Sequence, residues 1–156
     1  MIKLTRIDDR LVHGQVAFAW TPALGVNCLI VANDKVAKDE FMKMTLGLAK
    51  PAGTKLLIKG INEASAFLND EKNKELKILL LVNSVKDAAV MANDVPEIKS
   101  INIGGIRMKE GAKLISKAVA VNDEDIALMR DMLTNGIELE IRQVPTDSKQ
   151  MVSALI

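Results

Sequence analysis

The sequence predicts an open α/β fold. Helices should cover both faces of a mostly parallel sheet of six or seven strands, a three-layer α/β/α arrangement with room for one antiparallel edge strand. Short continuous apolar runs, such as LLI at 56–58 and ILLLV at 78–82, suit strands buried on both faces. Segments with helical spacing alternate with these runs, as in βαβ units. Capping and breaking residues fall where each helix should start or stop.

Taken in order, the strand candidates are 2–7, 28–32, 55–58, 78–82, 100–103 and 137–144. Val16, Trp20 and Leu24, spaced by four, share one helix face after the first strand. Ala37, Phe41, Met44 and Leu48 repeat that spacing after the second, and the methionines read as core filler. Pro51 and Gly53 close this region. Val85, Ala88, Ala89 and Ala92 mark another helix, and Ile126, Met129 and Leu133 the last. Asn122 with Asp123, Glu124 and Asp125 offers that last helix a cap and first-turn acids, and Gly136 its C-terminal stop. The segment 113–121 fits a strand, a helix, or a strand preceded by a turn. In 137–144, Ile137, Leu139 and Ile141 alternate with Glu138, Glu140 and Arg142, the pattern of an edge strand with one wet face, for which an antiparallel direction is plausible.

Composition narrows the function classes. A chain of 156 residues reads as one domain, 1–156, able to bury roughly 70% of its unfolded surface without disulfide or metal. A net charge of +1 supplies no basic field for nucleic acid. Aromatics are few and tyrosine is absent, so stacking platforms for single strands are not expected. Cys28, the only cysteine, lies in an apolar run and reads as a buried thiol. The start MIKLTRIDD has no apolar signal core, and no apolar run approaches the roughly 20 residues that span a bilayer. A soluble, cytoplasmic protein is therefore expected, one still able to dock on a membrane partner.

Chemistry concentrates in IDDRLVHGQV, residues 7–16, which brings Asp8, Asp9, Arg10 and the only histidine, His13, close together. It follows the first strand and leads into the first helix, so it should lie outside the carboxyl ends of the strands, where open α/β sheets bind ligands. Backbone N–H groups of Gly14, Gln15 and Val16 at the helix start can hold an anion. Neutral imidazole is a nucleophile near neutral pH, Arg10 can stabilise the oxygens of a phosphoryl group, and an aspartate can fix the ring tautomer. Gly104-Gly105 should reach the same edge, either as a tight turn or as a backbone that approaches the His13 loop and contributes an N–H. Arg107 and Lys109 are surface charge or face an acidic partner. Pro145-Thr-Asp147 reaches the edge only if the last strand is parallel. A lone histidine serves zinc poorly. Asp8 and Asp9 together would suit magnesium in a receiver domain, but the third strand ends in Leu57-Ile-Lys-Gly60, without the aspartate such domains phosphorylate. No metal or cofactor is expected.

RIDDRLVHGQV, residues 6–16, followed by Trp20, resembles the active-site segment of the enzyme IIB components of the bacterial phosphotransferase system, mannose/fructose/sorbose family. Asn33-Asp34 with Val36-Ala37, Ala49-Lys-Pro51 with Gly53, Asn102-Ile-Gly-Gly105 and 142–147 (RQVPTD) are similar to further family segments, so the resemblance spans the chain. It implies that His13 accepts a phosphoryl group on Nδ1 from phosphohistidine on enzyme IIA. It also implies that His13 passes the group to a sugar in the membrane components IIC and IID, with Arg10 assisting transfer and Asp9 as a loop acid beside it. Asp8, Gly14, Gln15, Gly104 and Gly105 would support the loop and phosphate. Some members carry an arginine near residue 42, where this chain has Met42. VPTDS and NIGGI lean towards the N-acetylgalactosamine, sorbose and fructose types rather than the mannose type. A regulatory module that takes phosphate without delivering it, on the same fold, is the alternative, and homo-oligomerisation is left open.

Overall fold

The computed structural model describes all residues, Met1 to Ile156. In chain order the strands are β1 (Ile2–Asp8), β2 (Cys28–Ala32), β3 (Lys55–Lys59), β4 (Ile78–Val82), β5 (Ser100–Gly105), β6 (Lys113–Ser116), β7 (Val119–Val121), β8 (Glu138–Ile141) and β9 (Gln150–Met151). The helices are α1 (Thr21–Leu24), α2 (Asp34–Ala37), α3 (Glu40–Ala49), α4 (Ile61–Asn69), α5 (Val85–Asp94) and α6 (Asp123–Thr134). A π-helical segment, Val16–Trp20, runs directly into α1.

Seven strands form one sheet in the order β3-β2-β4-β1-β5-β8-β9. All neighbours are parallel except β8 and β9. The chain steps across the sheet one way from β1 to β3 and the other way from β3 to β8. Right-handed crossovers then place the first helices on one face and the later ones on the other. The packing agrees. Val16, Trp20, Val36 and Leu46 share one buried cluster, while α4, α5 and α6 supply the other through Ala64, Ala88 and Met129. The connections leave neighbouring strands β1 and β5 in opposite directions, so a crevice opens at their carboxyl ends.

Local chemistry sets the boundaries as expected at α6. Asn122 accepts from the Asp125 N–H at 2.8 Å and Asp125 accepts from the Asn122 N–H at 3.1 Å, a reciprocal capping box. Gly136, at φ +84°, closes the helix in a conformation that disfavours a side chain. Cys28 is buried, and burial pushes its thiol up from the ordinary value.

Four sequence expectations change. The segment 113–121 is a β6–β7 hairpin. The last long strand, β8, is parallel and not the edge, which is the short antiparallel β9. The polar side of β8 is dry at Glu140, which is 1% exposed and faces buried partners. Gly104 and Gly105 end strand β5 rather than forming a turn.

The face that α3 buries also departs from expectation. Phe41 and Leu48 are 74% and 84% exposed, Met44 is also exposed, and Leu46 is the residue that packs inward. Met42, Leu46 and Ala49 have helical spacing too, so an almost continuously apolar helix offers two faces. The periodicity alone does not choose between them. Ala37 belongs to a separate short helix, capped by the Asn33 side chain at 2.9 Å.

Candidate functional site

Asp8 is the last residue of β1, fully buried, and its two oxygens serve different partners. Oδ2 lies 2.8 Å from His13 Nε2 and accepts from Arg6 Nη2 at 3.1 Å. Oδ1 accepts from the Arg10 backbone N–H at 3.0 Å, with Arg10 Nε at 3.6 Å. Burial alone would push this carboxyl up. The hydrogen bond from His13, the one from the Arg10 backbone, and the charges of His13 and Arg6 more than offset it, so the net shift is downward. The carboxylate can only accept, so the neutral ring carries its proton on Nε2. Nδ1 has no hydrogen-bond partner within the chain.

The loop between Asp8 and His13 turns through Leu11, the one non-glycine residue with positive φ, +59°. That conformation costs a branched residue roughly 1–2 kcal/mol. Leu11 and Val12 are buried in the cluster beneath the first helix, and their burial, about 1.5–3 kcal/mol each, offsets the strain. The Leu11 N–H closes the turn on the Asp8 carbonyl at 2.9 Å. Arg10 is thereby left outside, its side chain 52% exposed and touching only Gln15 Oε1, at 3.4 Å, besides Asp8. A loosely held guanidinium beside the histidine is free to follow an anion.

The first backbone bond of the helix runs from the Ala17 N–H to the His13 carbonyl, at 2.9 Å. The N–H groups of Gly14, Gln15 and Val16 therefore precede any intrahelical acceptor and can bind negative charge next to the imidazole. The π-helical turn that follows is bonded through the Thr21 N–H and hydroxyl to the Val16 carbonyl. It carries Trp20 under the sheet edge, where its Nε1–H donates to the Gln143 carbonyl at 2.9 Å. Single π-turns of this kind gather at functional sites.

The structure brings together Asp8, Arg10, His13, Gly14 and Gln15. Asp8, not Asp9, meets the imidazole. Asp9 instead accepts from both the backbone N–H and Nε of Arg107, each at 2.8 Å, and its own N–H donates to the Gly105 carbonyl at 3.1 Å. Gly105 thus offers the loop a carbonyl and not the N–H expected of it. Beside the loop a cleft of about 470 Å³ opens, lined by Arg10, Gly105, Arg107, Lys117 and Gln143 among others.

Sequence reasoning missed Arg6. Its guanidinium is fully buried behind Asp8, and Gly104 is glycine because Arg6 occupies the space a Cβ would take. The signal was present: a charged residue at an inward position of an apolar strand, two residues before an acid on the same face.

The family model of the phosphotransferase system sorbose-subfamily IIB component matches residues 2–156. The chain belongs to the sorbose-subfamily enzyme IIB components of the phosphotransferase system. A probable phosphotransferase enzyme IIB component of Streptococcus pyogenes is 36% identical over 100% of this chain and 99% of its own. The mannose-specific EIIAB component of Escherichia coli K12 is 35% identical, and this IIB component covers 48% of that longer chain. Among solved structures, the IIB domain of the sorbose permease from Klebsiella pneumoniae superposes with a TM-score of 0.92. It is 31% identical, over 97% of this chain and 93% of that one. No helix of the chain is long and apolar enough to cross a membrane.

Proposed function

We propose that this chain is the phosphocarrier of a sugar-transporting phosphotransferase system, a protein phosphohistidine–sugar phosphotransferase. His13 takes a phosphoryl group from phosphohistidine on enzyme IIA and passes it to a sugar held by the membrane components IIC and IID. The carrying observation is the 2.8 Å pair of His13 Nε2 with the buried Asp8, which leaves Nδ1 bare. In the first step the Nδ1 lone pair attacks phosphorus, and the donor's P–N bond breaks with its electrons returning to the donor ring. The phosphorylated ring keeps its Nε2 proton and is cationic. Asp8 stabilises that charge, and a cationic ring is the better leaving group when a sugar hydroxyl attacks phosphorus next. The P–Nδ1 pair then returns to the ring, and the hydroxyl proton goes to a base or to solvent outside this chain.

Arg10 and the N–H groups of Gly14 and Gln15 hold the equatorial oxygens in flight. Gly104 and Gly105 support the loop, and Asp9 steers Arg107 rather than the ring. One half-exposed arginine and a helix start make a moderate cradle. A relay needs that, because tighter binding of the phosphorylated state would block the onward step. The chain is expected to work at the cytoplasmic side of its membrane partners.

With phosphorylated IIA, His13→Ala is expected to take up no phosphate while the protein still folds, since Asp8 keeps its bonds from Arg6 and the Arg10 N–H without the ring. Acid-labile, base-stable phosphate on another residue would overturn the reading. Arg10→Gln is expected to accept phosphate but to deliver it to sugar about 10²-fold more slowly in the presence of IIC and IID. Phosphate that is taken up by the wild type but never delivered would mark a regulatory module instead.

A further inference from the structure

Behind Asp8 lies a row of buried polar side chains that the chemistry above does not use. Strand register pairs Arg6 with Asn102 and Asn102 with Glu140, so the three stand abreast on one face across β1, β5 and β8. Arg6 Nη1 donates to Asn102 Oδ1 at 2.7 Å, and Asn102 Nδ2 donates to Glu140 Oε1 at 3.0 Å. Glu140 also accepts from Arg142 Nε and Nη2 at 3.0 and 2.9 Å. None of the three is more than 1% exposed. The guanidinium carbons of Arg6 and Arg142 both lie 5.1 Å from the Trp20 ring centre.

A row of this kind is a poor choice for stability alone, because well-packed apolar residues in the same volume are often as stable or more so. What it provides is direction. Arg6 can only donate and a carboxylate can only accept, so Asn102 between them has a single orientation. With Asn102 Oδ1 and the Arg142 carbonyl on Nη1, Arg6 has Nη2 left for Asp8 and the Gln143 carbonyl. Its Nε has no partner at all. A guanidinium released by Asn102 could turn and offer Nε or Nη1 to Asp8, which would move the oxygen that holds His13.

We propose that Asn102 and Glu140 are positioning residues for phosphoryl transfer at His13. They fix Arg6, Arg6 fixes Asp8, and Asp8 holds the ring with Nε2 protonated and Nδ1 bare. The proposal rests on His13 being the phosphoryl acceptor.

The test uses the chain by itself with phosphoramidate, from which Nδ1 displaces ammonia that leaves with the P–N electron pair. Wild type, Glu140→Gln and Asn102→Leu are compared by ¹⁵N and proton NMR of the imidazole, and by which ring nitrogen carries phosphate. Wild type is expected to show a slowly exchanging Nε2–H and phosphate on Nδ1. In both variants the Nε2–H signal should weaken, Nδ1 uptake should fall about tenfold, and Nε2-linked phosphate should emerge. Glu140→Gln keeps the shape of the site and serves alone if Asn102→Leu does not fold. A variant that is slower but keeps the wild-type Nε2–H signal and phosphate only on Nδ1 would overturn the inference, as would unchanged behaviour. Wild type with no phosphate on His13 would instead overturn the phosphocarrier reading itself.

Discussion

Asp8→Asn is expected to lower phosphate uptake at His13 by about 10³-fold and to destabilise the fold by about 3–5 kcal/mol, the cost of stranding a buried charge. The new amide cannot satisfy the donors that surround it. In the wild type Oδ2 faces Arg6 Nη2 and His13 Nε2, and Oδ1 faces the Arg10 N–H. An amide with its NH₂ towards the ring would invite Nε2 to accept, moving the ring proton to Nδ1 and removing the attacking lone pair. An amide with its NH₂ towards Arg10 would oppose that N–H and open the loop that carries both Arg10 and His13. Either way buried Arg6 loses its adjacent counter-charge. Near-normal uptake by a folded Asp8→Asn protein would contradict the assignment of Asp8 as the group that orients His13.

The same carboxylate should be visible in the pH dependence of stability. Its folded value lies below the ordinary one, so it stabilises the fold fully above the unfolded carboxylate range near pH 3.9. That contribution is lost as pH falls through the lower, folded value. Glu138 and Glu97 are also held below their ordinary values, Glu138 by its hydrogen bonds from Lys149 and Ser100. At Glu97 burial, the largest single influence, pushes upward, and the backbone bond from Ile2 together with the Lys74 pair outweighs it. The acid limb therefore has several contributors, and Asp8→Asn should flatten it without abolishing it.

The parallel sheet was legible because its strands are nearly pure apolar runs, and the site's place at the sheet edge followed from the order of strand, loop and helix. The place of His13, Arg10 and the free N–H groups of the helix start at that edge was legible for the same reason. Which aspartate faces His13 was not. Asp8 and Asp9 are adjacent, and the choice follows only once Arg6 is recognised as an inward residue: alternation then puts Asp8 on its face and leaves Asp9 to Arg107. Glu140 and Arg142 looked solvated because alternation of charge along a strand has the same pattern whether the polar face meets water or a buried counter-charge. The outer face of α3 failed likewise: Phe41, Met44 and Leu48 have core spacing, but α3 lies over the margin of the sheet and buries its other side through Leu46.

Gly104→Ala is expected to be the most destructive single methyl group added to this chain. An added Cβ would overlap the Arg6 guanidinium, which cannot withdraw: Nη1 and Nη2 are bonded to Asn102, Asp8 and the carbonyls of Arg142 and Gln143. Overpacking in a rigid setting costs about 1–3 kcal/mol, and loosening a buried ion pair adds to it, for a total of about 3–5 kcal/mol. For a chain of this length that is roughly a 10 °C fall in Tm. Uptake of phosphate should fall as well, because the displaced Arg6 drags Asp8 from His13. Gly47→Ala is the control of opposite sign. It lies inside α3 with nothing within 4 Å of an added Cβ, and should stabilise by about 0.5–1 kcal/mol through helix propensity. A double-mutant cycle with Arg6→Lys isolates the cause: the slimmer ammonium leaves room, so Gly104→Ala should cost less in that background than in wild type. Equal cost in both backgrounds would show that Gly104 is required for its backbone and not for the arginine beside it.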